Sequence, residues 1–188
     1  MAIVTAPAGE RLLTAEEYAD LSLPTRTELV RGKVVEVNQP RPRHGLVCRN
    51  VFRVLDGFVD RQDLGYVFPN DTGFITRRSP DSVRGPDVSF YSYSRMPKGQ
   101  VPRQYSDVAP EVVFEVMSPT DRWRDVLAKV VEYLDAGVLA VCVLDPEQET
   151  AHVNTAERVG KLLEGDEELT FGDVLPGFAV KVSELFAN

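Results

Sequence analysis

Two apolar runs flank a helical pattern, and no other feature of the sequence restricts the fold as much. EVVFEVM covers residues 111–117 and VLAVCVLD covers 138–145. The second run is apolar until its closing Asp145, as a strand buried on both faces must be. Between them Trp123, Val126, Leu127, Val130 and Leu134 form one stripe at helical spacing. Ser118-Pro119 stops the first strand, Thr120 or Asp121 is placed to cap the helix, and Gly137 to end it. A strand, a helix and a second strand in this order predict a right-handed parallel crossover over 111–144.

The remaining chain reads as further short elements. TAEEYADL at 14–21 is a short helix with Thr14 as N-cap and Glu17 completing a capping box. TELVRGKVVEVN is a β-hairpin turning at Arg31-Gly32. QPRPR breaks the chain, and from His44 to Asp63 the residues Val47, Val51, Val54, Leu55 and Phe58 recur on one helical face. YVFPN, TGFITRR and GPDVSFYSY read as strands, RMPKGQVPRQYSDVAP as a loop, and TAHVNT, RVGKLLE and EELTFGDV as short strands before a final helical turn in VKVSELF. There are no repeats and no linker. The 188 residues predict one α/β domain with a mixed sheet, its core spanning about 13–186.

Several classes are set aside. No apolar run is long enough to span a membrane, and MAIVTAPAGE lacks the basic start and apolar stretch of a signal peptide. Cys48 and Cys142 lie far apart in apolar surroundings and read as reduced core residues of a cytoplasmic protein. The net charge of −8 argues against an anionic partner until its distribution is considered. Residues 26–103 carry 14 Lys/Arg against 8 Asp/Glu, whereas the remainder carries 7 against 21. Local charge, not the total, steers a polyanion.

Glu115 stands in the middle of the first apolar run. Side chains alternate along a strand, so Glu111, Val113, Glu115 and Met117 share one face and Val112, Phe114 and Val116 the other. A buried carboxylate must be neutral, ion-paired or metal-bound. Asp87, at the head of the GPDVSFYSY strand, is a second carboxylate, and a hard divalent cation relieves the repulsion between two such groups. Lys129, one of only five lysines, lies at the shoulder of the helical stripe on the side of Tyr133 and Asp125. Its ammonium can reach Glu115, or it can pair with Asp125 across one helical turn. Glu28 on the hairpin is either a third acidic group of this site or a polar edge residue. His44 either points at the site or satisfies the helix start.

GPDVSF, then EVMSP, then a helix with D-x-x-x-K-x-x-x-Y-x-x-A-G-V, then VLDP, in that order, resemble a bacterial restriction-endonuclease family within the PD-(D/E)XK nuclease superfamily. LTAEEYADL, TELVRGKVVEV and RPRHG extend the resemblance, which runs from about Leu13 to Phe186. It implies a restriction-endonuclease-like core, a central mixed β-sheet flanked by helices, with an N-terminal helix and β-hairpin. Asp87 matches the Asp of the PD motif and Glu115 its second acidic position. Met117 stands where the wider superfamily has lysine, and Lys129 matches a lysine moved to the following helix. Glu28 matches the hairpin Glu and His44 the helix-start His. Arg31 departs from the usual Asp or Asn of the hairpin turn, and LAVCVLD lacks the family's common aromatic; neither touches the expected ligands.

The resemblance implies hydrolysis of DNA phosphodiester bonds with Mg²⁺, Mn²⁺ being able to substitute, and no organic cofactor. Asp87, Glu115 and the carbonyl of Val116 would hold the ion, with Lys129, Glu28 and His44 completing the catalytic set. Arg41, Arg43, Arg49 and Arg53 are candidates for phosphate contacts. Cutting two strands suggests a homodimer. Two other classes stay open: a catalytically silent module of the same fold that binds nucleic acid or a protein, and a structural metal site.

Overall fold

The computed structural model describes residues 11–157 and 160–188. The N-terminal ten residues, and Arg158 and Val159 of the RVGKLLE run, lie outside them. Helix α1 (Ala15–Ala19) opens on the expected capping box: Thr14 Oγ1 accepts from the Glu17 amide, and Glu17 Oε2 from the Thr14 amide. Strands β1 (Thr27–Val30) and β2 (Lys33–Glu36) pair antiparallel through the two-residue turn Arg31-Gly32. Both turn residues have positive φ, 51° and 77°. The side chain and backbone of a neighbouring turn hold them there: the Arg31 amide donates to Ser82 Oγ at 3.0 Å and the Gly32 amide to the Asp81 carbonyl at 2.6 Å. That support lets an arginine stand in a conformation that Asn or Gly adopts more easily.

Helix α2 (Pro42–Gln62) starts two residues ahead of the expected His44, because Pro42 is well suited to a first turn. It buries Val47, Val51, Leu55 and Val59, with Val54 and Phe58 packed at the margin. The chain continues through β3 (Gly65–Pro69), β4 (Phe74–Arg77), β5 (Ser82–Arg84), β6 (Val88–Ser92) and β7 (Val112–Val116). Helix α3 (Trp123–Asp135) leads to β8 (Ala140–Asp145), β9 (Thr150–Asn154) and β10 (Lys161–Glu164). The β11–β12 hairpin (Glu168–Thr170 and Ala179–Lys181) and helix α4 (Val182–Phe186) close the chain.

The main sheet has six strands in the order β10-β9-β8-β7-β6-β3. Only β7 and β8 are parallel, joined through α3 as expected; the other neighbours are antiparallel. A second, antiparallel sheet has the order β2-β1-β5-β4. The fold is thus a mixed sheet flanked by helices. Phe114, Val116, Cys142 and Leu144 pack with α2 and the C-terminal segment on one face, whereas Val113, Val141 and Val143 pack with α3 on the other. The full burial of Ala140, Val141, Cys142, Val143 and Leu144 in β8 accounts for its apolar run, which closes on Asp145. Among the described residues no helix is long and apolar enough to cross a membrane.

Helix α3 differs from expectation at two places. Its N-cap is Arg122, without a side-chain cap; Asp121 instead accepts from the Ser118 amide and closes the preceding turn. Leu127, expected in the core, is 44% exposed, and Tyr133 is buried completely. The helix packs on two surfaces, the main sheet beneath and Phe74 of β4 beside, and Phe74 stacks on Tyr133 at 5.7 Å. The second surface turns the buried stripe toward Val126, Val130 and Tyr133. Gly137 ends the helix as expected, with the Val138 amide bonded to the Tyr133 carbonyl and the Gly137 amide to that of Leu134.

Candidate active site

The strand alternation read from EVVFEVM places Glu115 on the α3 face, with Val113 and Met117. The β6–β7 ladder runs from Phe90↔Val112 to Val88↔Phe114, so Asp87, one residue before β6, comes alongside Glu115. Gly85 makes this approach possible. A Cβ at position 85 would lie 2.4 Å from the Asp71 carbonyl oxygen, so the lead into Asp87 has room for glycine alone.

Helix α3 supplies two partners to Glu115. Tyr133 Oη donates to Glu115 Oε1 at 2.6 Å, and Lys129 Nζ lies 3.5 Å from Oε2. Lys129 also donates to Glu28 Oε1 at 3.1 Å. Glu28 is not an edge residue: it is buried on β1, and its second oxygen accepts from Arg84 at 2.7 Å. Arg84 in turn forms a bidentate pair with Glu132, which also accepts from Thr76 Oγ1 at 2.5 Å. The result is a run of alternating charge, Glu132–Arg84–Glu28–Lys129–Glu115, joining both sheets through α3. The alternative pairing of Lys129 with Asp125 does not form, since two carboxylates draw the ammonium inward; Asp125 lies 3.5 Å from Arg124 instead.

Burial and charge act against each other here. Burial pushes the Glu115 carboxyl up to about 7; Lys129 lowers it and Asp87 raises it further. Burial disfavours the Lys129 ammonium, but Glu115 and Glu28 outweigh this and hold its pKa above the ordinary lysine value. Glu28 is likewise desolvated, yet Lys129 and Arg84 keep it below the usual carboxylate range.

His44 sits in the first turn of α2 and faces the site. Its Nε2 is 3.3 Å from Asp87 Oδ1, and its Nδ1 is 3.3 Å from Cys48 Sγ. Burial lowers the imidazole pKa, but Asp87 more than compensates and leaves it raised. The other Asp87 oxygen accepts from the Val116 amide at 2.7 Å, which fixes the carboxylate against the end of β7. Cys142 is a core thiol as expected; Cys48 is only partly buried and is turned toward His44.

Glu28, His44, Asp87, Glu115, Val116 and Lys129 all line one cleft of about 750 Å³. The arginines on its walls are Arg26, Arg84, Arg122 and Arg124, while Arg41 lines a smaller pocket beside Ser118 and Thr120. Arg43 is drawn away by Glu149 and Asn188, and neither Arg49 nor Arg53 lines the cleft. Five residues of the site escaped sequence reasoning, Glu132 among them. Arg84 lies in a three-residue strand too short to show a period. Cys48 was readable as the i+4 neighbour of His44, and Tyr133 as that of Lys129. Asp71, whose carboxyl is raised by burial and by Asp87, has only a turn-like local sequence.

The donors fit a hard divalent ion. With His44 neutral, the ionised carboxylates of Glu132, Glu28, Glu115 and Asp87 face the cations Arg84 and Lys129, a surplus of two negative charges. One divalent cation balances that surplus, and carboxylate and carbonyl oxygens are what Mg²⁺ takes.

No curated protein matches the chain. Among solved structures it is similar to the crystal structure of a putative nuclease belonging to DUF820 from Anabaena variabilis, with a TM-score of 0.80 and 19% identity over 93% of this chain and 97% of that one. At that identity the likeness establishes the shared fold. A family profile described as "putative restriction endonuclease" matches residues 15–183, nearly all of the described elements, and the chain therefore belongs to that family, Uma2.

Proposed function

We propose that the protein is a metal-dependent endonuclease that hydrolyses phosphodiester bonds of DNA. The observation that carries this reading is the Lys129 ammonium held between Glu28 and Glu115 in an acidic cleft. A half-buried lysine beside two carboxylates, with a further carboxylate on the adjoining strand, is costly for a surface that only binds.

Asp87, Glu115 and the Val116 carbonyl would hold Mg²⁺, for which Mn²⁺ can substitute. When bound, such an ion polarises a phosphoryl oxygen and acidifies a coordinated water. The protein groups divide the remaining work. Lys129 stays charged at neutral pH, so it acts as a hydrogen-bond donor to the attacking water or to the phosphoryl oxygens, not as a base. Glu28 and Arg84 position it from β1 and β5. Tyr133 holds Glu115 in one orientation, and His44 holds Asp87. Arg122 and Arg124, on the wall near the start of α3, can receive flanking phosphates of any sequence. For a duplex, two such clefts are needed, and we expect a symmetric dimer on DNA; sedimentation of the protein with an uncut duplex in Ca²⁺ should give two chains per site, and one chain per cleavable duplex would refute it.

Supercoiled plasmid incubated with Mg²⁺ or Mn²⁺ at low salt is expected to be nicked or linearised by the wild type, not by Glu115→Gln purified in parallel, and EDTA should stop the reaction. Equal cutting by both proteins would trace the activity to a contaminant. If neither cuts while both fold and retard DNA on a gel, a binding module of nuclease fold replaces the enzyme.

A further inference from the structure

We propose that His44, Cys48 and Asp87 form a binding site for a thiophilic divalent cation, Zn²⁺ above all, on the α2 side of the Asp87 carboxylate. His44 and Cys48 are spaced i,i+4 in the first turns of a 21-residue helix, so their side chains stand one above the other on the same face. Asp87 meets that face from the head of β6. One donor atom from each of the three residues lies within 4.8 Å of the other two. Two donors on one tetrahedral zinc are separated by about 3.3–3.6 Å, from ligand distances of about 2.0–2.3 Å. The 3.3 Å from His44 Nε2 to Asp87 Oδ1 already meets this spacing; the Cys48 thiol, 3.3 Å from the other ring nitrogen Nδ1, supplies the third donor by turning from that edge toward Asp87. Among the described residues, this is the one group of three such side chains gathered closely enough to hold an ion.

The donor chemistry separates this site from the hard-ion site on the other side of Asp87. Mg²⁺ takes oxygen ligands and leaves a thiol unused, whereas zinc accepts sulfur, imidazole nitrogen and carboxylate together. Three protein donors plus one water complete a tetrahedron, and the Cys48 thiol gives its proton to solvent as it binds. Glu115 is not part of the set, since its oxygens are turned to Tyr133 and Lys129. One consequence rests on the nuclease reading: because Asp87 belongs to both donor sets, zinc would withdraw a carboxylate from Mg²⁺ and arrest cleavage.

Cobalt(II) tests the site without DNA and without any assay of activity. Titrated into the reduced, metal-stripped full chain, it is expected to give the visible bands of a tetrahedral site and a near-ultraviolet thiolate-to-cobalt absorption, both removed by Zn²⁺. Cys48→Ser should lose the thiolate absorption, His44→Gln should weaken binding, and Cys142→Ala and Glu115→Gln should keep the spectrum, with circular dichroism confirming that each variant is folded. Absence of the thiolate absorption in the wild type, or its survival in Cys48→Ser, would overturn the proposal and leave the Cys48–His44 contact as a hydrogen bond only. A spectrum of six oxygen ligands lost in Glu115→Gln would overturn it too, while supporting the hard-ion site.

Discussion

Glu115 is held at a cost in the absence of metal. Its carboxyl is raised from an ordinary value of 4.5 to about 7, chiefly by burial. A carboxyl raised in the folded state favours folding while it is protonated, below about 4.5. That contribution is lost as pH rises through about 7, where the folded protein must ionise it. In EDTA, the melting temperature of the wild type should therefore fall relative to that of Glu115→Gln between pH 5 and pH 8. Thermal unfolding of the two proteins across this range checks the sign, and a constant gap would show that Lys129 alone neutralises the group. With Mg²⁺ present the gap should close at pH 8, because ion binding stabilises the ionised form of the wild type. Glu115 stood out in the sequence because a charged residue inside an apolar strand has few physical explanations, and Asp87, at a strand head, stood out only beside it and through the order of the motifs. Which oxygen meets which partner was not legible, since that depends on α3 and β5 arriving from elsewhere.

At the level of elements, the site depends on two sheets meeting across one helix. Arg84 on β5 pairs with the buried Glu28 and the half-buried Glu132. Replacing it with Met leaves Glu132 without its cation and Glu28 with Lys129 alone, and removal of one partner from a buried pair costs about 3–5 kcal/mol. Urea denaturation of Arg84→Met should show a loss of that order, and adding Glu28→Gln should recover part of it as a non-additive term. The amphipathic stripe of α3 and the apolar run of β8 could be read from periodicity because each is long enough to repeat. β5 could not: three residues, one of them a buried arginine, carry no repeat, and its place between β1 and β4 is set by long-range pairing. Periodicity alone places Leu127 in the core for a related reason, because the stripe ignores the second sheet that packs beside the helix through Phe74.

For the whole molecule, the crossover from β7 to β8 orders everything else. It fixes the central strands, leaves α2 and α3 on opposite faces, and so decides that His44 approaches Asp87 from one side and Lys129 approaches Glu115 from the other. The order of motifs along the chain was enough to anticipate the crossover and the flanking helices, whereas the facing of His44 and Lys129 stayed open until the fold was in hand. The uneven distribution of charge was a weaker guide, since Arg43 is spent on Glu149 and Asn188, and the arginines that do line the cleft come partly from the acidic portion of the chain. The tight contact at Gly85 has a consequence for how such a protein changes over time. The Asp87 carboxylate itself has no slack, but neither does the bare space next to it, where any added carbon meets the Asp71 backbone. A lineage could keep every acidic residue and still lose the site through one methyl group at position 85, so the glycine should tolerate as little drift as the carboxylates it brings together.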